Sequence, residues 1–147
     1  MISLEELRKI LPQAYPFLLI DKVVEFKANE SLVALKNITA NEWATLGNVQ
    51  DCIYFPETLI LEAAAQAVLV LNYQSRPVDL NKQKIYLLGK VKSEFFSQVQ
   101  VGDQLTLRCR MGKLLESGGF SSVTAYSAEK KIAEIDVFFS IKDKKND

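Results

Sequence analysis

"GNVQDCIYFPETLILEAAAQAVLVL", residues Gly47–Leu71, decides the fold. Pro56 suits the first position of a helix, and the run Ala63–Ala65 has high helix propensity. The apolar stretch continues to Tyr73, so the sequence predicts a helix over about residues 56–73. Nearly every face of it is apolar, which predicts burial and not a place on a surface. One carboxylate, Glu62, interrupts that stretch. Thr58, Glu62 and Gln66 recur every fourth residue and therefore share one face. Two readings of Glu62 stay open: it is satisfied by a buried partner such as Gln66, or it faces a pocket as a general acid or base. The helix start lies one turn away, where unpaired N–H groups suit a carbonyl oxygen or oxyanion.

Working outward, Ser3 and Glu6 have the spacing of a capping box for a short first helix ending before Pro12. "YPFLLIDKVVEF" is dense in branched and aromatic residues and reads as a strand; "SLVALKNI" follows it across the turn-like "KANE". Residues 39–55 read as loop with one helical turn. Beyond "SRPVDLNKQK" the chain is β-rich: "KIYLLGKVKSEFF", "QLTLRCRMGKLL", "GFSSVTAYSA" and "KKIAEIDVFFSI" have strand patterning. The expectation is one α+β domain over residues 1–147, an antiparallel sheet of about six strands wrapped on one central helix.

Eighteen Lys+Arg balance eighteen Asp+Glu, and no basic stripe with interleaved aromatics argues for nucleic acid. The longest apolar stretch, Leu59–Leu71, is broken by Glu62 and Gln66 and is too short to span a bilayer. The opening "MISLEELRKI" is amphipathic, unlike a secretory leader, so a cytoplasmic protein is expected. Cys52 and Cys109 lack metal-type spacing and read as ordinary thiols. The absence of histidine is the most informative count. It removes Ser-His-Asp, Cys-His and His-ligated metal chemistry, leaving acid–base work to Asp, Glu, Lys, Tyr or Cys.

Five segments in order, "LPQAYPFLLIDKVVEF", "ITANE", "FPETLILEAAAQA", "YLLG" and "VGDQL", resemble the FabZ-type 3-hydroxyacyl-acyl-carrier-protein dehydratases, from about residue 8 to residue 141. That resemblance implies the hot-dog fold and loss of water from a 3-hydroxyacyl thioester in fatty-acid or polyketide-type biosynthesis. It also implies a catalytic histidine on the loop before the helix and a glutamate on the helix, contributed by different subunits of a dimer. Glu62 matches the glutamate, and Asn48, after Gly47, stands where the family has its histidine. The surrounding loop departs too: Val49-Gln50 replace Phe-Pro, Ile53 replaces a proline, Glu57 a glycine, and Gln13-Ala14 a His-Arg pair. A carboxamide lacks a nitrogen basic enough to take the substrate's C2 proton.

Three readings follow. The first is a dehydratase-like subunit that is impaired alone and binds acyl thioesters, or supplies Glu62 to a site shared with a histidine-bearing paralogue. The second is a hot-dog thioesterase in which Glu62 activates water and Asn48 holds the carbonyl. The third is a dehydratase or isomerase with a substitute acid–base group among Asp51, Cys52 and Tyr54. In each, Glu62 and Asn48 are the catalytic candidates, and Gly47, Pro56, Glu57, Thr58 and Gln66 the substrate-binding ones. The resemblance implies no metal or bound organic cofactor, the acyl group arriving on the phosphopantetheine of acyl carrier protein or on CoA. It implies a homodimer, a dimer-based oligomer or a heterodimer with that paralogue. Lys82, Lys84, Lys90 and Lys92 form a candidate patch for the acidic carrier. Ala63, Ala64 and Ala67 either leave room for an acyl chain or pack closely on the sheet, and Tyr15, Phe17, Phe95 and Phe96 read mainly as core.

Overall fold

The computed structural model describes residues 1–42, 54–76 and 84–145. A short helix α1 (Leu4–Ile10) opens on the expected cap: Ser3 Oγ accepts from the Glu6 N–H, and the Ser3 N–H donates to Glu6 Oε2 at 2.8 Å. It ends at Leu11, whose extended φ/ψ of −81°/133° is what the following proline imposes. The strands are β1 (Lys22–Lys27), β2 (Ser31–Asn37), β3 (Lys84–Phe95), β4 (Gln104–Leu115), β5 (Gly118–Ser127) and β6 (Lys130–Asp143). They form one antiparallel sheet in the order β1-β2-β4-β5-β6-β3. The long helix α2 (Glu57–Gln74) lies against its inner face.

Local chemistry explains the turns. Asn29, between β1 and β2, sits at φ 60°, a left-handed conformation asparagine tolerates, and its N–H donates to Ser75 Oγ at the end of α2. At the β4–β5 turn Gly118 has φ 155°, and a Cβ on Gly119 would meet the Lys113 carbonyl at 2.1 Å, so neither position admits a side chain without movement.

The core lies between α2 and the inward residues of the sheet. Leu32 and Ala34 of β2, Leu105, Leu107 and Cys109 of β4, and Val123 and Ala125 of β5 face Ile60, Ala63, Ala64, Ala67 and Leu71 of the helix. The three alanines are fully buried and let the helix approach the sheet closely, so they are packing residues. Complete burial also pushes the Cys109 thiol far up, leaving it a small apolar core residue.

Four expectations need correction. Pro56 is the N-cap, with the helix starting at Glu57. The run from Tyr15 is a strand only from Lys22, because residues 17–19 bond to α2 and not to a strand. Tyr15, Phe17 and Phe96 are exposed, Tyr15 by 93%, while Phe95 is half-buried against the core. Finally, Lys84 does not share a patch with Lys90 and Lys92. Gly89 is an extra residue in β3 opposite β6, so pairing slips between Leu88↔Phe139 and Lys90↔Phe138. Lys90 and Lys92 lie on the outer face against Phe138, Lys84 lies on the other side of the slip and pairs with Asp143 at 2.5 Å, and Lys82 is outside the described residues.

Helix α2 is not buried all round. Leu61, Glu62, Ala65, Leu69 and Tyr73, spaced along one side, are half-buried. No helix among the described residues is long and apolar enough to cross a membrane.

Candidate active site

Glu62 belongs to that open stripe, one turn before Gln66. Gln66 is 1% exposed and its amide orientation is fixed by the backbone. Its Oε1 accepts from the Leu19 N–H at 2.9 Å and its Nε2 donates to the Phe17 carbonyl at 2.8 Å. The same nitrogen donates to Glu62 Oε1 at 3.1 Å. Gln13, from the segment after α1, donates its Nε2 to the same oxygen at 3.3 Å. Among the described residues no hydrogen bond reaches Oε2, so the carboxyl group is held by one oxygen and presents the other.

These side chains wall one end of a cavity of about 80 Å³. Its remaining lining is apolar, including Ala65, Leu69, Leu88 and Phe139, apart from Tyr86. Burial raises the Tyr86 phenol above its ordinary value, with Arg76 opposing, so it stays protonated near neutral pH. Among the described residues Gln13 Oε1 is buried without a partner, an acceptor suited to a hydroxyl or water beside Glu62. An acid at the mouth of an oily slot, flanked by amides, can exchange a proton with a bound ligand while the apolar wall holds a short acyl segment.

Of the sequence candidates, the structure brings together Glu62 and Gln66. Glu57 and Thr58 are exposed on the first turn of α2 and Pro56 is half-buried; none of the three lines the cavity. Tyr54 is 43% exposed, bridges Gln100 and also stands apart from the cavity. Gly47, Asn48, Asp51 and Cys52 lie outside the described residues. No group of three or more Cys, Asp or Glu among the described residues is arranged to hold a metal ion. Sequence reasoning missed Gln13 as a partner of Glu62; a polar residue inside "LPQAYPFLL" was the available signal.

Gln66→Leu should lower stability by about 2–4 kcal/mol, because it strands the buried Leu19 N–H and removes a support of Glu62. A urea-unfolding midpoint measures it, and a change below about 0.5 kcal/mol would deny Gln66 that role.

The FabA-like domain family matches residues 11–140. The 3-hydroxyacyl-[acyl-carrier-protein] dehydratase FabZ of Chlamydia abortus is 38% identical over 147 residues, covering 99% of this chain and 96% of its own. Two solved structures share the fold at low identity. The dehydratase heterocomplex ApeI:P from Xenorhabdus doucetiae has a TM-score of 0.78 and 14% identity, covering 95% of this chain and 91% of its own. A mutant of the thioesterase PA1618 from Pseudomonas aeruginosa has a TM-score of 0.72 and 15% identity, covering 96% of this chain and 94% of its own. These likenesses confirm the hot-dog architecture expected from the sequence.

Proposed function

The chain belongs to the FabA-like domain family, and on that premise we propose that it binds 3-hydroxyacyl thioesters and contributes Glu62 to a dehydration site whose histidine comes from a partner subunit. The observation that carries this reading is Glu62 itself, kept at the wall of an apolar cavity in a chain without histidine. The acyl group arrives on the phosphopantetheine of acyl carrier protein or on CoA. The partner's imidazole takes the C2 proton and the Glu62 carboxyl delivers a proton to the C3 hydroxyl. The C3–O bond then breaks, water leaves and a C2=C3 double bond remains. Because Gln13 and Gln66 both donate to Oε1, Oε2 is the oxygen that passes the proton. In a dimer with a histidine-bearing paralogue, one site has both groups; the other pairs Asn48 with the paralogue's glutamate and is inactive.

The exposed edge of the sheet supports such pairing. β3 is an edge strand of 12 residues whose Ile85, Leu87 and Leu88 are 39%, 44% and 55% exposed. The opposite edge is partly covered, since Ile2 bridges Val23 of β1. A long exposed apolar edge is a template for another strand. Leu87 and Leu88 also line the cavity, so a partner on β3 would close the acyl site as it assembles. Leu88→Lys should convert dimers to monomers in size-exclusion chromatography with light scattering; an unchanged mass would place the interface elsewhere.

The reaction is tested by intact-mass spectrometry of a 3-hydroxyacyl carrier protein incubated with the pure protein. An unchanged substrate, dehydrated once a histidine is supplied, supports the shared site. Loss of water with this chain alone would demand a substitute base and overturn the shared-site reading. Loss of the whole acyl group would select the thioesterase, with Glu62 activating water.

A further inference from the structure

Lys36 breaks the rule of its strand. It occupies the inward position of β2 after Leu32 and Ala34, where alternation calls for an apolar side chain, and it is 7% exposed. Its Nζ is 2.6 Å from Glu42 Oε1, donates to the Asn37 carbonyl at 3.1 Å and lies 5.8 Å from the centre of the Phe55 ring. The Glu42 side chain is nearly as enclosed, at 10% exposure. Taking both charges out of water carries a large desolvation penalty, so a buried pair is weak grounds for a stabilising role. The location of its contacts is more telling. Glu42 directly precedes residues 43–53, the chain that contains Asn48, and Phe55 lies just beyond them and leads through Pro56 into α2.

The backbone secures the Phe55 end independently: the Phe55 N–H donates to the Val99 carbonyl at 2.8 Å, and Tyr54 bridges Gln100. At the other end, the Ile38 N–H donates to the Asp103 carbonyl at 3.0 Å, and the Glu42 N–H closes a turn onto Thr39 at 3.2 Å. The Lys36 ammonium joins the two ends. An apolar side chain at 36 would grip Phe55 but take from the buried Glu42 carboxylate its ammonium partner at 2.6 Å; the ammonium meets the carboxylate and the ring face together.

We propose that Lys36 is a positioning residue, gathering Glu42 and Phe55 on one cation and so fixing where the chain bearing Asn48 begins and ends relative to Glu62. Only its bearing on catalysis rests on the proposed function; the tie between the two ends rests on the contacts alone.

Trp43, the chain's only tryptophan, directly follows Glu42 and reports on this tie without any substrate. Acrylamide quenching of its fluorescence should change roughly twofold in Lys36→Met and return toward wild type in Lys36→Arg. In an Asn48→His background, Lys36→Met should lower kcat roughly tenfold or more, since small misplacement of reacting groups is costly, with KM changed by less than about twofold. If Lys36→Met does not fold, Lys36→Gln keeps a hydrogen-bond donor toward Glu42 while removing the cation that faces the Phe55 ring. It should fold and show quenching changed in the same sense. Native quenching in either folded variant would overturn the proposal. If Asn48→His shows no dehydration, the substituted loop prevents turnover in this chain, and the Trp43 measurement decides the role of Lys36 on its own.

Discussion

Asn48→His is expected to convert a protein that leaves a 3-hydroxyacyl carrier protein intact into one that dehydrates it, a gain of roughly 10²–10⁴-fold from restored general-base catalysis. The chain has no imidazole anywhere, and the asparagine amide cannot accept the C2 proton. The other half of the proposed pair is Glu62, which Gln13 and Gln66 hold at the cavity wall. In a homodimer of the variant both composite sites would have an imidazole and a carboxyl group. The gain belongs toward the lower end of the range because Gln13-Ala14 and Val49-Gln50 also depart from the family pattern. The sign of the pH dependence follows from the base being active when neutral: activity should be low below about pH 6 and rise through the ordinary imidazole pKa near 6.5. Asn48→Gln, which adds length without basicity, should leave the substrate unchanged at every pH. Time courses by intact-mass spectrometry between about pH 5.5 and 8 measure both effects. An Asn48→His protein as inert as Asn48→Gln would mean that the substituted loop, and not the missing base, prevents turnover.

The central helix was legible because its signals are local. Proline, an alanine run and a fourfold polar spacing placed it within one residue of Glu57–Gln74 and correctly put Glu62 beside Gln66. The four C-terminal strands were legible from alternation and from the breaks between them. The run from Tyr15 was misread because one composition serves two purposes. Branched and aromatic residues favour a strand, yet the Leu19 N–H and the Phe17 carbonyl bond to a glutamine side chain nearly fifty positions away. Tyr15 and Phe96 were assigned inward because hydrophobicity cannot distinguish a core residue from one turned outward. Lys90 and Lys92 share a face as alternation requires, but the single extra residue Gly89 turns Lys84 to the other one.

Long-range polar contacts were the least accessible part of the site. Gln13 meets Glu62 across 49 positions, and no periodic pattern links them. Lys36 could have been noticed as a charge at an inward position of β2, but its partners lie in irregular chain and at a helix entrance. The polar framework around Glu62 thus depends on the fold already being assembled. A substitution at Glu62 must be chosen to leave that framework standing.

Glu62→Gln meets that requirement, and in the Asn48→His background it should cost roughly 10²–10⁴-fold in dehydration rate through loss of the proton donor. Gln13 and Gln66 both donate N–H groups to Oε1, and the new side chain can turn its carbonyl oxygen toward them, placing its NH2 where Oε2 was. Shape and hydrogen bonds are kept, so stability should change by less than about 1 kcal/mol. Only the ability to deliver a proton disappears. Glu62→Leu is the informative contrast: it should also be inactive, but it leaves the two donating amides without their acceptor and should lower stability by about 1–3 kcal/mol. Comparing the rates and urea midpoints of the two variants separates chemistry from architecture. Full activity in Glu62→Gln, with stability lost only in Glu62→Leu, would make Glu62 a structural partner of Gln66 and end its catalytic assignment. Inactivity in both, with near-native stability in Glu62→Gln, would make the carboxyl at this position a reacting group.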